Sequence, residues 1–139
     1  MDIQINWLGV VLAAASALGV GMVWYSGALF GKEWTRVTGV TEKDMKKAMP
    51  QAMPQIIVAA LLTAYVLAHV TYLSQSFFHE SYMKAALTSA FWIWLGISAT
   101  TLVAHDAFEN RSKKLLAINV GNRLATYMVM ALIIGAIGL

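Results

Sequence analysis

The sequence has no cysteine, and only 12% of its 139 residues are charged. Without cysteine there is no disulfide scaffold, no iron–sulfur cluster and no thiolate-based site. A water-soluble domain carries roughly 25% charged residues, so a soluble monomer is excluded as well. The chain is instead 59% hydrophobic, with a mean hydropathy of +0.64. That balance, in a length suited to one domain, describes a small polytopic membrane protein.

Four runs are long enough to cross about 30 Å of hydrocarbon, which takes about 20 helical residues. They cover residues 5–25, 54–73, 85–104 and 115–139, and none contains Asp, Glu or Lys. In lipid a segment of this length satisfies its own backbone only as a helix. The expected fold is therefore all-α, an integral membrane up-and-down four-helix bundle, with residues 1–139 in a single domain. The acidic opening Met1-Asp2 and the length of the first run predict a retained helix rather than a cleaved signal. Trp7 and Trp24 stand far enough apart along that helix, about 26 Å, to mark two interfacial belts.

Loop charges predict the orientation. Lys32, Arg36, Lys43, Lys46 and Lys47 lie in the first loop and Arg111, Lys113 and Lys114 in the third, whereas the second holds only Lys84. The first and third loops are expected to face the cytoplasm, with both termini outside, in a cell (inner) membrane. Because the basic clusters flank apolar runs, they read as topology and not as a nucleic-acid footprint. Within the first loop, Thr41 can cap a short helix over residues 42–49, with Asp44 at its third position. Met45, Ala48 and Met49 then share one face, Pro50 stops the helix, and Pro54 suits the first turn of the second span.

The most informative side chain is Arg123, about 12 Å inside the fourth span. A guanidinium there costs at least about 2.5–3.5 kcal/mol, so it should face the bundle interior, a cavity or a partner. Asn119, Asn122, Arg123 and Thr126 fall on one face of that helix. This polar face can contact an anion or polar solute, or Arg123 can snorkel or bond Ser16, Thr63 or Ser98. On the third helix Trp94, Ser98, Thr101 and His105 recur along one face, and His105, Asp106 and Glu109 follow as an inner-edge network. One His with two imperfectly aligned carboxylates is a weak metal motif, so no metal and no cofactor is expected. Tyr65, His69 and Tyr72 share a face of the second helix, and Trp92 reads as packing.

Gly9, Ala13, Ala17 and Gly21 form an unbroken run of small residues at four-residue spacing on the first helix, a surface for close helix packing within the bundle or between protomers. No Gly-x-Ser-x-Gly elbow, His-Glu-x-x-His, paired intramembrane aspartate or phosphate loop is present, so an enzyme is not expected.

At Trp24, Tyr25, Ser26, Gly27, Ala28, Leu29, Phe30, Gly31, Lys32, Glu33 and Trp34 the chain resembles the signature of the domain of unknown function 1761 family, small, mainly bacterial membrane proteins. Ile5-Asn6-Trp7-Leu8 and the stretch from Phe108-Glu109-Asn110-Arg111 to Ile118-Asn119 look like that family too. The resemblance implies four membrane helices and no activity. Physically the signature reads as an interfacial corner. Trp24 and Tyr25 anchor a helix end, Gly27 and Gly31 permit a bend, and Phe30 and Trp34 re-enter the interface with Lys32 towards head groups. The expected function is a non-catalytic, self-associating membrane component, a homo-oligomer in the lipid bilayer. The alternative is a small oligomeric channel or transporter for an anion or polar solute using the Arg123 face.

Overall fold

A computed structural model describes residues 3–139. The elements are α1 (Trp7–Trp24), α2 (Gly31–Thr38), α3 (Glu42–Phe78), α4 (Tyr82–Ile93), a π-helical segment π1 (Trp94–Ala99), α5 (Thr100–Glu109) and α6 (Lys113–Ile137). α4, π1 and α5 run on as one rod, Tyr82–Glu109, and with α1, α3 and α6 it makes four helices long and apolar enough to cross a membrane. No strand occurs among the described residues. The chain is an all-α membrane bundle.

Side-chain caps set the helix starts. Asn6 accepts from the Gly9 amide and Ser81 from the Lys84 amide. Thr41 and Asp44 form a reciprocal capping box at the start of α3. Beyond that cap the expected short helix over 42–49 does not exist as a separate element, because Pro50 and Pro54 both lie inside the 37-residue α3. Pro50 does not stop the helix, and Pro54 is no first-turn residue. The two prolines are four apart on one exposed face, so the donors they lack leave carbonyls only at Lys46 and Pro50, also exposed. Flanking Lys, Met, Ala and Gln are strong helix formers. At 1.5 Å per residue α3 is about 55 Å long, well beyond the roughly 30 Å apolar layer. Its first turns extend from the bundle and do not form a separate surface helix, and Ala48 and Met49 are exposed.

Packing is cyclic: α1 touches α6 and α3, and α4 touches the same two. Of the twelve residues that form the buried cluster, eight are alanine, and the others are Val10, Leu67, Met130 and Ile134. Small side chains let the backbones approach, the means by which helices associate where burial from water supplies no drive. The cluster takes the first half of α1, the last half of α3, the start of α4 and the last half of α6. It therefore sits at the end of the bundle opposite the basic loops. At the basic end, α1 has no buried residue after Ala14 and α3 none before Ala60. The four helices thus close on one another at one end, while at the other α1 and α3 bury nothing and the buried residues of the membrane helices, Asp106, Leu115 and Ile118 among them, belong to the third rod and α6.

The small-residue face of α1 contributes to the closed end. Ala13 is fully buried, Ala17 packs against the cluster, and a Cβ on Gly9 would meet Ile137 at 3.7 Å. Around Gly21, by contrast, nothing lies within 4 Å. Of the two uses open to this face, the packing within the bundle is the one realised by Gly9, Ala13 and Ala17.

Between the membrane helices, close approach is tightest at Gly135, where a Cβ would lie 2.9 Å from the Met83 Cα. Gly135→Ala should lower stability by about 1–3 kcal/mol, read as the thermal midpoint in detergent. Gly19→Ala, placed where nothing lies within 4 Å, should instead be neutral or raise it by up to about 1 kcal/mol. Equal effects at the two positions would contradict the packing described.

Candidate functional site at the basic end

The segment after α1 turns back sharply. The Phe30 amide donates to the Trp24 carbonyl at 3.0 Å and the Gly31 amide to the Ser26 carbonyl at 2.9 Å. A Cβ at Gly31 would fall 2.2 Å from the Tyr25 carbonyl oxygen, so only glycine fits. Trp24 stacks obliquely on Phe30 with ring centres 4.6 Å apart, and Tyr25 meets Trp34 edge-on at 5.7 Å. Lys32 and Phe30 are exposed on the outside of the bend.

This corner grips α6. The Trp24 indole donates to the Ile118 carbonyl at 3.1 Å, and the Tyr25 hydroxyl donates to Asn119 Oδ1 at 2.9 Å. From the other side the Trp94 indole donates to the Val120 carbonyl at 3.1 Å. Gly121 lies under the Trp24 ring, where a Cβ would be 3.0 Å from it. Glu33 completes the clamp from α2, accepting from Arg36 and standing 2.8 Å from Lys114 Nζ.

Hydrogen bonds from Arg36 and Lys114 hold the Glu33 carboxyl well below its ordinary 4.5, at about 2. A group depressed in this way contributes stability above its unfolded value and loses it as pH falls towards the folded one. The thermal midpoint of the native chain should therefore exceed that of Glu33→Gln by a constant margin above about pH 5. The margin should shrink between pH 4.5 and 2; a margin independent of pH would contradict the ion pairs.

Arg123 lies just past this clamp. It shares a helical phase with Met130 and Ile134, seven and eleven residues on. Those two are 1% and 2% exposed, whereas Arg123 is open. Its helical phase is that of the packed face, at the end of the bundle where α1 and α3 have no buried residue. It makes no hydrogen bond or ion pair with any described residue. Burial raises the Tyr25 phenol above its ordinary value, and the neighbouring Arg123 charge opposes that shift. Arg123 stands two residues beyond the Gly121 that Trp24 covers, about 3 Å of rise. The first turns of α6 lie alongside the corner.

The four residues of the expected polar face do not act alike. Thr126 is buried, Asn119 is taken by Tyr25, and Asn122 is half-buried with a buried Nδ2 that has no partner. Bonds from Arg123 to Ser16, Thr63 or Ser98 are not formed; Ser16 and Thr63 donate to carbonyls of their own helices.

π1 breaks the expected face of the third helix. Its wide turns rotate the residues below it, so Trp94 points to α6 while the His105 side chain is 58% exposed. His105 Nδ1 stands 3.6 Å from Asp106 Oδ1 and its Nε2 3.2 Å from Glu109 Oε1, and Glu109 pairs with Arg111. Asp106 is buried with one oxygen unpartnered. No three His, Asp or Glu side chains converge among the described residues. Sequence spacing did not reveal π1, since nothing in Trp94–Ala99 breaks an α-helical pattern; Gly96, exposed within it, was the sole local signal. Beside π1 a cleft of about 260 Å³ opens between Leu62, Thr63, Val66, Ile97 and Tyr127. At the far end Trp7 stacks on Tyr65 at 5.6 Å, and Tyr65 lies 5.8 Å from His69, whose buried Nδ1 has no partner.

A family model described as "Protein of unknown function (DUF1761)" matches residues 8–135, nearly the whole chain, and the chain belongs to that family. No curated protein and no solved structure matches it.

Proposed function

We propose that this member of the DUF1761 family is a non-catalytic membrane protein that holds an oxyanion, free or carried on a lipid headgroup, at Arg123 in the open basic end of the bundle. The observation that carries this reading is an unpaired guanidinium at a core-phase position. A cation among apolar helices calls for a counter-charge, and guanidinium matches carboxylate and phosphate oxygens through paired N–H bonds. Asn122, with its unpartnered Nδ2, is a second donor one residue away. Transport would further require the alanine-packed end to part. The reading of self-association through α1 loses weight, because most of the small-residue face serves the core.

The excess of Lys and Arg in the first and third loops supports an orientation with this end in the cytoplasm and both termini outside, in a cell membrane. A single cysteine introduced at Lys46 should react with an impermeant reagent only after intact cells are opened; labelling from outside would invert the orientation.

Function is tested in nanodiscs of neutral lipid. Saturating inorganic phosphate, or phosphatidylglycerol added to the disc, should raise the thermal midpoint of the native chain by about 5 °C. Arg123→Gln should abolish the response and Arg123→Lys retain part of it. A response to phosphatidylglycerol alone identifies a headgroup, and one to phosphate a free anion. No response from the native chain, or an undiminished one from Arg123→Gln, would overturn the proposal.

A further inference from the structure

The closed end of the bundle carries a feature that the oxyanion reading does not use. Between the end of α3 and the start of α4 lies an open groove of about 820 Å³. Its walls are apolar, with Leu73 and Phe77 on one side and Trp92 and Ile93 on the other. Its mouth is charged: Lys84 Nζ lies 3.0 Å from Glu80 Oε2, and the Glu80 side chain is 16% exposed against 68% for Lys84. Ser74 and Ser89 also line it, and their hydroxyls bond no described residue. From Lys84 to Trp92 the groove descends about 12 Å at the helical rise.

We propose that this groove binds a zwitterionic phospholipid with a primary ammonium headgroup, phosphatidylethanolamine. The charges of the mouth match that headgroup in kind and order. Exposed Lys84 faces the phosphodiester, and the sheltered Glu80 carboxylate accepts N–H bonds from the ammonium. Charge-assisted bonds of that type are the strong ones, and a choline headgroup has no N–H to offer. A glycerol headgroup would offer Glu80 only neutral hydroxyl donors and no positive charge. Below the mouth, the free Ser74 and Ser89 hydroxyls stand at the depth of the glycerol esters, and the walls of Leu73, Phe77 and Trp92 take the upper acyl chain. This site lies at the other end of the bundle from Arg123 and does not depend on the reading of that residue.

The test uses the full chain, purified from vesicles of equal phosphatidylethanolamine and phosphatidylcholine, with retained lipids counted by mass spectrometry. Phosphatidylethanolamine should be enriched about three- to fivefold, the range of a partly exposed ion pair. Glu80→Gln should bring the ratio to about one, whereas retention of phosphatidylglycerol offered in place of phosphatidylethanolamine, a headgroup that Arg123 can hold, should be the same in the native chain and in Glu80→Gln. A ratio of one for the native chain, or an unchanged ratio in Glu80→Gln, would overturn the proposal. Trp92 gives a second readout in the bilayer. The fluorescence lost on Trp92→Phe should be quenched more by phosphatidylethanolamine brominated on its acyl chains than by brominated phosphatidylcholine; equal quenching would also overturn it.

Discussion

Two indole N–H groups and one phenol, all half-buried, hold the basic end together. A buried donor without an acceptor costs about 1–3 kcal/mol, and in this bundle the acceptors are gathered on one stretch of α6. Trp24 reaches Ile118, Tyr25 reaches Asn119, and Trp94 reaches Val120 from the opposite side. Three consecutive residues thus tie α1 and the third rod to α6 where the alanine packing has already ended. Gly31 lets the chain turn within van der Waals range of Tyr25, and Gly121 admits the Trp24 ring.

The two ends of the bundle rest on different physics. At the closed end, alanines bring four backbones together over a continuous apolar surface, and the contacts are non-directional. At the basic end, contact is directional and local, through ring N–H groups, a phenol and the Glu33 ion pairs. Directional contacts can fasten a helix end without filling the space beside it. Arg123 occupies that unfilled space, in phase with a core residue yet open, and so the opening has a charge. Its chemistry and its position are the two grounds on which the proposed oxyanion contact rests.

Much of the fold was legible from the sequence because the apolar layer admits one secondary structure. The four spans and the Thr41–Asp44 cap follow from local pattern, and the Trp24–Trp34 signature announced its corner. The boundaries that failed did so for local reasons. Proline at 50 and 54 is a breaker in a packed interior, but on an exposed face of α3 it removes only donors whose acceptors lie open. π1 has no compositional mark, and without it the face from Trp94 to His105 was misphased. The groove at Glu80 and Lys84 could not be foreseen, since the spacing of two charges shows a pair and not the cavity beneath it.

The central claim is that position 123 is open to water while position 130, on the same helical phase, is sealed. Because the chain has no cysteine, Arg123→Cys and Met130→Cys can each be exposed alone to a water-soluble thiol reagent in opened membranes. The account predicts rapid labelling at 123 and none at 130 in the folded protein. Protection at both positions would mean that the basic end closes like the other, and the account would be contradicted.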